Sequence, residues 1–382
     1  MKRFTSLLMV LYVFTATAFA QPAQVSGQTF DNARLDQYFD ALEANDKFMG
    51  SVAISQNGQL IYTRTLGYAD LAQQKKADAS TKYRIGSISK TFTAVLVLMA
   101  IEEGKLDINQ TLDHYFPTIK NADRITIEQL LYHRSGIHNF TDDADYLTWN
   151  TQAKTEEEMV ARIAASDSDF EPDSRSAYSN SNYVLLTYIL EKGFQRPYAE
   201  LVESLIVDKI GLKDTYVGRK INSADGEAQS YQYTGKWDLS PETHPSVPLG
   251  AGALVSTPSD LVRFSDALFN GNLISQESLK RMQAIKGGFG QGLIQIPFYE
   301  HMGLGHTGGI DGFSSVFAHF QNGNVSYALT SNGTNFSNND ISIAVLSALF
   351  GKPFEIPEFT QLEVSNEDLE SYVGTYTSNM IP

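Results

Sequence analysis

Ser87 and Lys90 stand three positions apart in Tyr83-Arg84-Ile85-Gly86-Ser87-Ile88-Ser89-Lys90-Thr91-Phe92-Thr93-Ala94, directly ahead of a long apolar run. If that run is helical, positions three apart share a face, one turn from each other. A hydroxyl and an amine so placed form a nucleophile and its base, because serine attacks poorly until a neighbour takes its proton. Lysine can be that neighbour only where burial or nearby charge keeps it neutral. The apolar residues that follow supply the burial. No other serine in the chain is followed by lysine at this spacing. The competing reading is a helix start followed by a surface lysine.

Two further groups can join this pair. Tyr178-Ser179-Asn180 lies in a polar stretch from Glu171 to Tyr183, and Gly305-His306-Thr307-Gly308-Gly309 precedes Ile310-Asp311-Gly312-Phe313. A tyrosine hydroxyl flanked by cationic groups can act as a phenolate or relay a leaving group's proton. A histidine is neutral or charged near neutral pH according to its surroundings.

The elements that must position these residues follow from periodicity. Leu35, Phe39 and Leu42 recur at helical spacing in residues 31–47. Residues 51–55 and 59–65 alternate around Asn57-Gly58, a tight-hairpin pattern. The helix after Ser87 is expected to stop at Gly104, and residues 126–213 read as largely helical. Residues 303–307, 313–320 and 325–331 read as neighbouring strands, and 340–350 as a closing helix. Strands at both ends and helices between them give an α+β pattern, one antiparallel sheet built from both chain ends.

Ser-x-x-Lys, Tyr-x-Asn and His-Thr-Gly, in that order, are the three signatures of the penicillin-recognising serine hydrolases. From about Asp36 to about Phe350 the chain resembles this β-lactamase and penicillin-binding protein superfamily. It is nearest the branch of class C β-lactamases, DD-peptidases, D-aminopeptidases and esterases. Thr126–Ile137 and Ala251–Leu261 carry the resemblance too, as segments that do no chemistry, with His133 as a packing residue. The resemblance implies an antiparallel sheet flanked by helices, an inserted all-helical subdomain, and the site in the cleft between them. It implies Ser87 as nucleophile, with Lys90 and Tyr178 moving protons and the main base left open between them. It implies Asn180, His306, Thr307 and Gly308 as substrate-binding residues. The N–H groups of Ser87 and Gly309 would form the oxyanion hole, the former aided by a helix N-terminus. Most β-lactamases have lysine where His306 stands, so the histidine favours a D-amino-acid peptidase or esterase over a class C-type β-lactamase. A non-catalytic ligand binder is the alternative from another class.

The rest of the sequence narrows the setting. The chain has 382 residues, 42% hydrophobic, and a formal charge of −15. Without a long basic cluster, nucleic acid is not an expected partner; a small-molecule or peptide substrate is. His114, His133, His138, His244, His301 and His319 are scattered with no H-E-x-x-H, so neither a metal nor an organic cofactor is expected. No G-x-S-x-G elbow occurs. The acidic loop with Asp142, Asp143, Asp145, Tyr146 and Trp149 could line the cleft and draw a substrate's amine, or be merely solvated. Lys2 and Arg3, the apolar stretch from Leu7, and Ala18-Phe19-Ala20 read as a signal peptide cleaved after Ala20, so an exported, periplasmic or extracellular protein is expected. The apolar run is too short for a membrane span. The domain expectation is 21–351 for the hydrolase and 352–382 for a linker and the start of a truncated β-barrel module, with a natural tail that packs back on the hydrolase as the alternative.

Overall fold

The computed structural model describes residues 30–359 and 365–374. The expected signal peptide lies outside the described residues. Six strands build the main sheet: β1 (Phe48–Gln56), β2 (Gln59–Leu66), β3 (Ile294–Phe298), β4 (His301–Ile310), β5 (Phe313–Phe320) and β6 (Val325–Thr334). The helices that cover the sheet or carry site residues include α1 (Asn32–Ala44), α2 (Ser89–Glu102), α3 (Ile127–Leu131), α4 (Tyr146–Trp149), α5 (Glu156–Ala165), α6 (Asn180–Phe194), α7 (Pro258–Phe269) and α8 (Asn338–Phe350).

The spatial order is β3-β4-β5-β6-β1-β2, with every neighbouring pair antiparallel. The first and last stretches of the domain therefore share one sheet, as the two-ended strand pattern requires. Side chains alternate across that sheet. Val52, Ile54, Tyr327 and Leu329 face a core made with Leu35, Phe39 and Leu42 of α1 and Ile341 and Val345 of α8. Ala53, Phe317 and Ala328 face the other way, into a larger core with α2, α6 and α7. Both faces are covered, so β1 is buried along nearly its whole length.

The larger core explains α2. From Ser89 to Ala100 every residue is buried. A helix that is apolar all round needs neighbours on every side. They include α6 and α7; Phe92 stacks on Phe264 with ring centroids 3.7 Å apart.

Three expectations need correction. The stretch 126–213 is only partly helical: residues 132–139 and 166–179 run as turns and extended chain. Tyr178 lies in the second of these, held by tertiary contacts rather than by a helix. Strand β3 is not an expected element: Ile294, Ile296 and Phe298 alternate with the exposed Gln295 and Pro297, but the run has five residues and carries a proline, which a strand tolerates at a sheet edge, where β3 lies. Leu369 and Glu370, read as the opening of a β-barrel, lie in a short helix, Asn366–Glu370, whose first turn is capped by the Ser365 side chain. Residues 352–359 pack on the domain. The Phe354 carbonyl accepts from Arg34 at 2.7 Å, and Phe359 meets Phe336 edge to face at 5.6 Å.

Candidate active site

Ser87 sits in a single 3₁₀ turn, Gly86–Ile88, that runs into α2. That turn is pressed against β4 by two glycines. A Cβ on Gly308 would come within 2.0 Å of the Ile85 carbonyl oxygen, and one on Gly86, whose φ is +50°, within 2.7 Å of the Gly309 nitrogen. Ser315 on β5 fixes the same point by donating to the Ile85 carbonyl at 2.8 Å. The approach brings Ser87 beside the strand that carries His306, Thr307, Gly308 and Gly309.

Lys90 is fully buried, which removes the reading of a surface lysine. Its Nζ lies 3.1 Å from Ser87 Oγ, 2.7 Å from Asn180 Oδ1 and 2.7 Å from the Ala251 carbonyl oxygen. Burial holds its pKa well below the usual lysine value. The last two partners only accept hydrogen bonds. A neutral amine spends both its protons on them and keeps its lone pair for the Ser87 hydroxyl. Ala251 thus does take part in the site, contrary to the expectation that its segment is purely structural. Tyr178 donates its hydroxyl proton to Ser87 Oγ at 2.7 Å. Burial pushes the Tyr178 pKa up, so the phenol, not the phenolate, is the resting form.

Asn180 opens α6, and its two ends are both engaged. Oδ1 receives Lys90, while Nδ2 donates to Asn139 Oδ1 at 3.2 Å and Thr141 Oγ1 at 3.1 Å. Asn139 Oδ1 also takes the free Asn180 N–H at 2.9 Å. Asn139 and Thr141 carry no spacing signal; only the folded chain brings them here.

His306 is buried, and its Nδ1–H donates to the Thr307 carbonyl at 2.6 Å. Burial first, and then the nearby Lys90, pull its pKa down to about 4. It is therefore a neutral imidazole at physiological pH. Thr307 is exposed on the same strand, and Gly308 is half-buried.

A cleft of about 500 Å³ opens over Ser87. Asn180, Ala251, Gly252 and Gly309 line its floor side, and Phe140, Tyr146, Leu147, Pro241, Pro248 and Ile310 give it an apolar wall. Gly309 faces open space where a side chain would project. Neither Lys nor Arg lines the cleft among the described residues. Arg84, buried beneath the wall, pairs with Asp311 at 3.3 Å and with Glu242, tying the end of β4 to the loop before Thr243. Of the acidic loop, Tyr146 lines the cleft but the carboxylates are engaged elsewhere. Asp142 accepts from Asn139 at 2.8 Å, and Asp143 and Asp145 lie 3.8 and 3.2 Å from Arg162. Of the two readings of this loop, the one in which its carboxylates draw a substrate's amine finds no support in these contacts. No cluster of three or more His, Asp or Glu side chains suited to a metal ion occurs among the described residues.

Fold and cluster together define a serine hydrolase of the β-lactamase and penicillin-binding protein class. A family model described as Beta-lactamase matches residues 35–350, and the chain belongs to that family. Penicillin-binding protein 4* of Bacillus subtilis (strain 168) is 26% identical over 90% of this chain and 82% of its own length. The teichoic acid D-alanine hydrolase of Staphylococcus aureus (strain MRSA252) is 28% identical over 60% of this chain, which spans 55% of that relative. Among solved structures, the D-amino acid amidase of Ochrobactrum anthropi SV3 superposes with a TM-score of 0.73 at 26% identity, covering 84% of this chain and 99% of that one. The D-stereospecific amidohydrolase of a Streptomyces species gives 0.70 at 28%, covering 82% and 97%.

Proposed function

We propose that this protein is an exported amidase or esterase acting on amides and esters of D-amino acids through an acyl-Ser87 intermediate. The observation that carries the reading is Ser87 Oγ held between Lys90 and Tyr178 at the floor of a cleft lined by no cation. A carboxypeptidase or β-lactamase substrate carries a carboxylate next to the scissile bond, and a neutral His306 gives it no charge to bind. An amide or ester lacks that carboxylate. The relatives named for D-amino acid, D-stereospecific and D-alanine chemistry support the D configuration.

The steps follow from the resting protonation. Ser87 Oγ attacks the carbonyl carbon as its proton passes to the lone pair of Lys90. The developing oxyanion rests on the N–H groups of Ser87 and Gly309. Such donors are worth about 3–4 kcal/mol each in the transition state. Tyr178 gives its hydroxyl proton to the departing nitrogen or oxygen and recovers one from the Lys90 ammonium. Water then attacks the acyl-Ser87 ester by the same path, and Ser87 is regenerated.

The test uses D- and L-phenylalanine p-nitroanilide with the mature protein and its Ser87→Ala variant. We expect the D enantiomer to be cleaved at least about tenfold faster, and Ser87→Ala to lose about 10³-fold or more in kcat. Equal rates for both enantiomers would remove the D-specific reading. Intact mass after benzylpenicillin separates the rivals. An adduct that forms and clears, with hydrolysed drug accumulating, means a β-lactamase. An unchanged Ser87→Ala rate means that the nucleophile lies elsewhere.

A further inference from the structure

The stretch that carries Tyr178 is neither helix nor strand, yet its hydroxyl must hold a 2.7 Å hydrogen bond to Ser87. Its backbone on both sides ends on one residue. The Ala177 N–H donates to the His133 carbonyl at 2.9 Å, and the Ser179 N–H donates to His133 Nδ1 at 3.1 Å. Between these two anchors the Tyr178 ring lies against the His133 ring, centroids 4.6 Å apart and tilted by 33°. Tyr183 and Phe289 close the other sides of the imidazole at 5.2 and 5.0 Å.

The protonation of His133 is fixed by its neighbours. Asn182 Oδ1 accepts from Ser135 Oγ at 2.6 Å, which turns the Asn182 amide so that Nδ2 faces His133 Nδ1 at 3.4 Å. Nδ1 thus meets two N–H donors and must be bare, with the ring proton on Nε2. A protonated ring would set a third N–H against them. The backbone of His133 is itself unusual, with φ at +55° just past the end of α3. Histidine and asparagine tolerate that region better than most residues, and both carry a side-chain acceptor.

We infer that His133 is a positioning residue that seats Tyr178, through the Ser179 N–H, the Ala177 N–H and ring contact, for proton transfer at Ser87. The inference rests on the reading of Tyr178 as the group that protonates the leaving atom. His133 is not among the residues that line the cleft, and its hydrogen bonds and ring contact reach Ser87 by way of Tyr178 and the backbone on either side of it. A residue that merely fills space would not need a bare Nδ1 aimed at the backbone of the residue it supports.

The test compares His133→Phe, His133→Asn, Tyr178→Phe and the double variant His133→Phe/Tyr178→Phe, with a D-amino-acid p-nitroanilide as probe and melting curves as a check on folding. Phenylalanine keeps a ring but offers no acceptor. It should lower kcat about 10²-fold, the size expected for a reacting group displaced by roughly 1 Å, with KM little changed. Asparagine, which suits the backbone and restores an acceptor, should recover most of that loss. In the Tyr178→Phe background, His133→Phe should have no further effect on kcat, because residues acting through one group are non-additive. Additive losses overturn the inference. So does an asparagine variant as poor as the phenylalanine one. If His133→Phe does not fold, His133→Asn decides alone: kcat within about tenfold of wild type supports the seat, and a larger loss overturns it. Tyr178→Phe with wild-type kcat would instead remove the role of Tyr178 itself, a separate outcome.

Discussion

Burial lowers the pKa of two potential cations, Lys90 and His306, with different consequences. In the proposed mechanism the free amine of Lys90 is the working state, since only that form can take the Ser87 proton. Its pKa lies below the ordinary lysine value, so the free amine is present at lower pH than usual and is lost as pH falls through that lowered pKa. The acylation rate should therefore fall on the acid side with a single ionisation. Stopped-flow acylation across pH will show whether that limb exists. His306 should add no inflection between pH 5.5 and 8, because it titrates at about 4. His306→Asn removes the imidazole entirely, and the shape of its profile over that range should match wild type. An acid limb that vanishes in His306→Asn would assign the ionisation to His306 and take it from Lys90. The types and spacing of Ser87, Lys90 and Tyr178 were legible in the sequence. Of the two acceptors that aim the Lys90 lone pair, Asn180 was legible as a site residue and Ala251 was not, because Ala251 contributes a main-chain carbonyl, to which side-chain identity is no guide.

At the scale of elements, the site depends on how closely the 3₁₀ turn before α2 can approach β4. Gly308 is where the approach is tightest: an added Cβ would lie 2.0 Å from a backbone oxygen that cannot rotate away. Gly308→Ala must push the strand and the turn apart, moving Gly309 from Ser87. Overpacking of this kind costs about 1–3 kcal/mol, so the melting temperature should drop by a few degrees. kcat should fall more steeply than that loss of stability alone can explain, since the two proposed oxyanion donors sit on the separated elements. Calorimetry and kcat on one preparation would test it; a stable variant with full kcat would contradict it. Gly309→Ala is the control in the same strand for stability alone, because its Cβ would meet nothing within 4 Å while Gly309 itself lines the cleft. The sheet itself could be read from the sequence because β1, β5 and β6 alternate cleanly between two cores. The contact between turn and strand could not: Ile85 and Gly308 are more than two hundred positions apart, and a glycine in a strand signals close approach without naming the partner. His133 was hidden for a related reason. It lies in a segment whose pattern marks α3, capped by Thr126 and Gln129, and only the fold of residues 166–179 brings Tyr178 onto its ring.

For the whole molecule, the sheet separates two cores that serve different ends. One, with α2, α6 and α7, surrounds Lys90 and keeps it dry. The other, with α1 and α8, takes no part in the site but is finished by residues 351–359, which cross it as a strap. Phe354 packs edge to face on Tyr38 at 6.1 Å, beneath Arg34, and Phe359 lies between Phe336 and Lys47. Both rings are only partly buried, so each should contribute less than the about 1.5–3 kcal/mol of a fully buried phenylalanine. Phe354→Ala/Phe359→Ala should therefore lower the melting temperature by several degrees and leave kcat and KM at wild-type values, because the sheet stands between the strap and Ser87. If this variant instead lost kcat while still folded, the two cores would not be mechanically separate. The dryness of Lys90 would then depend on the far face of the sheet, and the acid limb of the rate profile would shift to higher pH on removing the strap, as water entering the larger core let Lys90 hold its proton more easily.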